Sequence, residues 1–124
     1  MVTSKRMSLA ELATALGRPP QAGSHDKGAR HPSGKSWDVT IWRANSLDPS
    51  AALEVQSVQL LNDMPSACAD LLATSPDDIT VTLDVAVYFL TPYSSSIISP
   101  AMISALAGKG IQLEITSYPI EPTS

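Results

Sequence analysis

Residues Ile79–Leu90 (ITVTLDVAVYFL) alternate apolar and polar or small side chains, and this run constrains the fold more than any other part of the chain. Ile79, Val81, Leu83, Val85, Val87 and Phe89 share one side, and Thr80, Thr82, Asp84, Ala86 and Tyr88 share the other. A period of two marks a strand with one buried and one uncovered face. Strands of a fully parallel, doubly wound sheet are covered on both faces and read as continuous apolar runs, so that architecture is excluded. Trp37–Arg43 (WDVTIWR) repeats the pattern. It predicts Trp37, Val39 and Ile41 inward and Asp38, Thr40 and Trp42 outward. Ile111–Tyr118 (IQLEITSY) predicts a last strand with Ile111, Leu113 and Ile115 inward, and Val2–Arg6 is a weaker strand candidate.

Punctuated helical segments separate these strands. Ser8 and Glu11 have the spacing of a capping box, and Met7 and Leu12 that of a hydrophobic staple. Leu9, Leu12, Ala13 and Leu16 form one apolar face, and Gly17, Pro19 and Pro20 end that helix. Asp48-Pro49 predicts the start of a second helix, with Leu53, Leu60, Leu61 and Met64 as its buried stripe. Pro65 interrupts it, and a short helix over 65–73 follows. Ser99-Pro100 repeats the cap-then-proline device. Ile98 and Ile103 have staple spacing there, with Met102, Ile103 and Leu106 inward and Gly108 and Gly110 at the end. The order predicts an α+β fold, a two-layer sandwich whose mixed four-stranded sheet carries helices on one face. The link from the third to the fourth strand is long enough for a parallel crossover.

At 124 residues the chain has the length of one domain, spanning 1–124, with 17–36 as a long loop and 119–124 as a tail. No apolar run approaches the roughly 18 residues of a membrane span. The N-terminus lacks the apolar region of a secretory signal, so a cytoplasmic location is expected. The single cysteine, Cys68, makes neither an internal disulfide nor a thiolate zinc site, and no metal or cofactor is expected. Charge is divided along the chain. Residues 1–43 hold seven bases and three acids, net +4, whereas residues 44–124 hold one base and nine acids, net −8. The acidic part repels phosphates, and the basic part is mostly loop, which excludes a nucleic-acid groove.

The segments LATALGRPP, WDVTIWR and TLDVAVYFL…SPAMISALAGKGIQLEIT resemble the bacterial family called domain of unknown function 4279, from Ser8 to Tyr118. The resemblance is carried mainly by apolar pattern and turn glycines. It implies a small bacterial α+β domain with a better-formed first strand than Val2–Arg6, and it carries over no catalytic residue.

Several residue groups are candidates for function. Trp42, Tyr88 and Tyr118 are expected on the uncovered sheet face, among Asp38, Thr40, Thr80, Thr82, Asp84, Gln112, Glu114 and Thr116. Large rings among short polar side chains suit a contact surface, so Trp42, Tyr88, Tyr118, Asp84 and Glu114 are the partner-binding candidates. The competing reading is local cross-strand packing. In the loop, Arg18, Lys27, Arg30 and Lys35 are interleaved with Gly23, Gly28 and Gly34 and are weaker anion-binding candidates. No P-loop pattern is present. His25 and His31, six apart and near Asp26, match no metal-ligand spacing and read as solvated loop histidines. Cys68 has no histidine nearby in sequence to activate it and reads as an inert core thiol. Ser94, Ser95 and Ser96 lack the GxSxG setting, and Asp77-Asp78 reads as a turn and cap. No catalytic residue is assigned. Three functional readings follow: a non-enzymatic protein-interaction module, for instance one that neutralises a toxin; a ligand-binding or enzymatic domain with a pocket near 17–36; and a domain that self-associates through the uncovered face.

Overall fold

The computed structural model describes residues 1–45, 52–89 and 97–119. The order is strand β1 (Val2–Ser4), helix α1 (Leu9–Leu16), β2 (Thr40–Trp42), α2 (Leu53–Asp63), α3 (Ala67–Thr74), β3 (Thr80–Phe89), α4 (Pro100–Gly108) and β4 (Gln112–Pro119). The expected Asp48-Pro49 helix start, Leu90, the Ser94–Ser96 run and residues 120–124 lie outside the described residues.

Local chemistry explains the helix ends. Ser8 accepts from the Glu11 N–H, and the Glu11 carboxylate accepts from the Ser8 N–H, which closes the capping box. Gly17 then leaves α1 with φ +70°, a backbone state that an L side chain resists. Ser99 accepts from the Met102 N–H, with Pro100 at the first helical position of α4. Helix α2 stops at Asp63, before Pro65, and α3 starts two residues after that proline.

The four strands make one mixed sheet in the order β2-β1-β3-β4. β1 is antiparallel to both neighbours, and β3 runs parallel to β4 across the crossover that contains α4. This is an α+β fold. The core lies on one side of the sheet. Leu12 and Leu16 of α1, Cys68 of α3, and Met102 and Leu106 of α4 pack on Val2, Trp42, Ile79, Val81 and Ile111. Burying each such leucine stabilises the fold by about 1.5–3 kcal/mol. The alternation of β3 holds as read: Ile79, Val81 and Val85 are buried toward the helices, and Asp84, Ala86 and Tyr88 are exposed on the other side.

β2 corrects the sequence reading. Its ladder places Trp42 opposite Val2, and Val2 opposite Val81, so Trp42 is on the helix side and only 3% exposed. Ile41 takes the other side. Only Thr40–Trp42 is strand, and Trp37–Val39 belong to the preceding loop, so the seven-residue alternation never acts as one ladder. With apolar side chains at both parities, three residues do not fix which face is buried. Two smaller corrections concern the far end of the helix layer. Ile103 is 55% exposed rather than inward, and Ile115, on the helix side of β4, is 49% exposed.

Candidate functional site

Without Trp42, the uncovered face carries a smaller aromatic surface than the sequence suggests. Tyr88 and Tyr118 stand opposite each other in the β3–β4 ladder. Their rings stack with centroids 5.3 Å apart and remain 63% and 46% exposed. Asp84 and Glu114 are likewise opposite each other, four residues earlier on each strand. Successive side chains on one face lie about 6.7 Å apart along a strand, so the acids sit roughly 13 Å from the tyrosines. Asp84 is paired with Arg43 of the chain leaving β2, at 3.1 Å. Gln112 donates to Thr82 Oγ1 at 2.9 Å, which ties β4 to β3 on the same face. Four of the five partner-binding candidates, Tyr88, Tyr118, Asp84 and Glu114, therefore share this face, and Trp42 does not. The indole of Trp42 instead donates its Nε1–H to the Arg18 carbonyl at 3.2 Å, anchoring the start of the long loop to the core.

The 17–36 loop is tied down along its length. Gln21 donates to the Arg43 carbonyl, and His25 and Ile41 exchange main-chain hydrogen bonds at the outer edge of β2. Asp26 accepts from the Leu9 N–H at 2.7 Å, and the Lys27 N–H donates to Thr40 Oγ1 at 3.0 Å. Beyond that, Arg30 bridges Ser36, and a turn over His31–Gly34 closes an irregular hairpin. Trp37 stacks on His25 at 3.8 Å and meets His31 edge-on at 4.7 Å. The His25 pKa is lowered, first by desolvation and further by Arg43 and His31, against the opposing pull of the Gly23 carbonyl and Asp26. The two histidines are thus packing partners of Trp37. The anion-binding candidates are not drawn to one point. Arg18 lies beside Trp42, Lys27 reaches the Lys5 carbonyl, and Arg30 and Lys35 flank the hairpin tip.

Other titratable groups have structural settings. Cys68 is buried in the core, and desolvation raises its thiol pKa, which keeps it protonated. Asp78 accepts from the Ser4 hydroxyl and from the Lys5 N–H at 2.7 Å. Desolvation works to raise its pKa, but these bonds and the Arg6 charge prevail and hold it below the ordinary carboxylate range. Among the described residues, no group of three or more His, Cys, Asp or Glu is placed to hold a metal ion.

One cavity borders the start of the 17–36 loop. A cleft of about 650 Å³ lies between α2 and the sheet, reaching Arg18 and Gln21 at one end. Leu53, Leu60 and Leu61 of α2 line it and are only half-buried. No family model matches this chain, and neither a curated protein nor a solved structure is significantly similar to it.

Proposed function

We propose that this chain is a non-enzymatic protein-interaction module that works through the helix-free sheet face, as an immunity-type protein that neutralises a toxin would. The carrying observation is the stacked and exposed Tyr88–Tyr118 pair on that face. Paired rings present rigid apolar area with hydroxyls at the rim, at low entropic cost on binding. Glu114 on the same face, opposite the Arg43-paired Asp84, favours a partner whose complementary patch is basic. Membership of the family called domain of unknown function 4279, and with it a bacterial source, is part of the same proposal.

The test is capture of a partner from a lysate of the source cells, on immobilised protein. Tyr88→Thr with Tyr118→Thr is expected to abolish capture while circular dichroism is unchanged, and Lys35→Ala in the loop is expected to leave it intact. Capture that survives the double replacement refutes this face as the interface. Light scattering addresses self-association: a dimer that the same double replacement dissolves makes the partner a second copy.

The ligand-binding reading has one supporting feature, the cleft that reaches Arg18 and Gln21. Its volume falls in the range of roughly 300–1,000 Å³ typical of ligand sites. The enzymatic form of that reading is weakened because the thiol bordering the cleft, Cys68, is held protonated by burial.

A further inference from the structure

The outer part of the long loop, residues 28–37, is closed on itself. Gly28 donates to the Trp37 carbonyl, Trp37 to the Ala29 carbonyl and His31 to the Lys35 carbonyl, and the hydrogen bonds of residues 30–37 all stay within the hairpin. A two-stranded hairpin of this size is marginal at best in water. Its seat on the rest of the molecule is the Trp37 ring, which lies on that of His25 with centroids 3.8 Å apart. His25 is itself fixed by exchanging main-chain hydrogen bonds with Ile41 at the edge of β2. Residues directly opposite in an antiparallel pair project to the same face. His25 therefore stands beside Ile41 on the helix-free side of β2, where Ile41 is buried.

Both histidines around Trp37 occupy settings that suit the neutral ring. His31 Nδ1 accepts the Ser33 N–H at 3.0 Å and lies 2.8 Å from Ser33 Oγ. A protonated Nδ1 is a donor. It can reverse the hydroxyl contact, but it meets the Ser33 N–H donor against donor. His25 Nε2 is enclosed and has no hydrogen-bond partner. An imidazolium carries a hydrogen on each nitrogen, and enclosing one of them unpaired is costly. The surroundings of His25 act in the same direction. Desolvation is the largest influence, and Arg43 on the chain leaving β2 and His31 on the hairpin add to it. The Gly23 carbonyl and Asp26 oppose them and do not prevail, so the pKa is lowered. Trp37 and Ile41 bring no charge. His31 has Arg30 beside it in the chain and Lys35 bonded across the hairpin. Residues 17–43 already carry Arg18, Lys27, Arg30, Lys35 and Arg43 against Asp26 and Asp38. An imidazolium is attracted to an indole face. That single contact stands against an unpaired enclosed N–H, a donor clash at Ser33 and several cationic neighbours.

We propose that the hairpin is an acid-released flap: joint protonation of His25 and His31 unseats Trp37 and frees residues 28–37 from the sheet. The preceding part of the loop stays fastened, through Gln21 to Arg43, Asp26 to Leu9 and Lys27 to Thr40. Release exposes Ile41 and extends the helix-free face from β3 and β4 toward β2. Linkage gives the direction. In the released hairpin an imidazole titrates near its ordinary value of about 6.5, so the released form binds protons that the seated form resists. Seating is therefore complete above about pH 6.5 and is lost as the pH falls through the lower seated value of His25. The device does not depend on the tyrosine pair as a binding surface.

Nuclear magnetic resonance tests it. Protein carrying fluorotryptophan gives separate fluorine signals for its two tryptophans, Trp37 and Trp42, assigned with Trp37→Phe. From about pH 8 to about pH 5 the Trp37 signal is expected to move to a solvent-exposed position, with a midpoint below about 6.5, while Trp42 stays in place. Over the same range the main-chain amides of His31 and Trp37 are expected to lose at least about tenfold in protection from exchange, and that of Leu12 in α1 none. His25→Phe keeps a ring on Trp37. His31→Asn keeps an acceptor for the Ser33 N–H, because an asparagine oxygen closes the same turn. Neither replacement titrates, so the double variant is expected to hold the Trp37 signal fixed throughout. A Trp37 signal that never moves, one that moves equally in the double variant, or a Trp42 signal that moves with it each overturns the proposal. Should the double variant not fold, the ring-proton signals of His25 and His31 in the unaltered protein decide the matter: a Trp37 transition that does not coincide with their titration overturns it. None of these readouts involves partner capture by the tyrosine face, so failure here leaves that reading standing.

Discussion

Trp42 and Tyr118 illustrate how far apart two aromatic residues can lie in energetic role. Trp42 is enclosed among core side chains and spends its one donor on the Arg18 carbonyl, so truncation leaves both a cavity and an unpaired carbonyl. Trp42→Ala is expected to cost about 3–5 kcal/mol in urea unfolding. Tyr118→Thr removes an exposed ring and one stacking contact and is expected to cost under about 1 kcal/mol. The reverse ranking would mean that β2 has the opposite register. Asp78 gives the pH dependence at this scale. Its folded pKa lies below the unfolded value, so the bonds to Ser4 and Lys5 contribute fully above that unfolded value, near 3.9. The contribution is lost as pH falls through the lower folded value. Asp78→Asn is therefore expected to be less stable than the parent at pH 7, with the gap in melting temperature closing as the pH falls below about 4.

At the scale of elements, the helix layer depends on where its helices stop. Gly110 follows α4 with φ +68°, and a methyl group there would come within 2.7 Å of Leu72 Cδ2 on α3. Gly110→Ala combines backbone strain with a push between two helices and is expected to lower stability by about 1–2 kcal/mol, measured by thermal unfolding. An unchanged melting temperature would show that α3 yields freely. The long loop is an element too. Its bonds to Leu9, Thr40, Ile41 and Arg43 fasten a hairpin to both α1 and the outer edge of β2. That edge is consequently guarded by main-chain pairing with the loop.

The whole molecule is polarised by its sheet order. Residues 1–43, net +4, supply the β2-β1 half, and the acidic remainder supplies the β3-β4 half. The Arg43–Asp84 pair crosses the boundary between the halves. The tyrosine pair stands in the acidic half, so a basic partner would be drawn toward it during encounter, an effect that salt weakens.

The sequence by itself determined that α1, α3, α4, β3 and β4 form and which side of β3 is buried, but not the extent of β2. Those properties are set by neighbours three or four residues apart or by strict alternation over ten. Caps at Ser8 and Ser99 and the breaks at Gly17 and Pro65 were legible because a cap or a breaker acts within one turn. So was the placement of Tyr88, Tyr118, Asp84 and Glu114 on one face, because long strands fix their own parity. Tertiary structure alone decided the burial of Trp42, since a three-residue strand takes its register from Val2 across the sheet. It also decided the pairing of His25 and His31 with Trp37. The first arises from strands meeting across 40 residues of chain and the second from ring packing inside an irregular loop, and no periodic pattern records either.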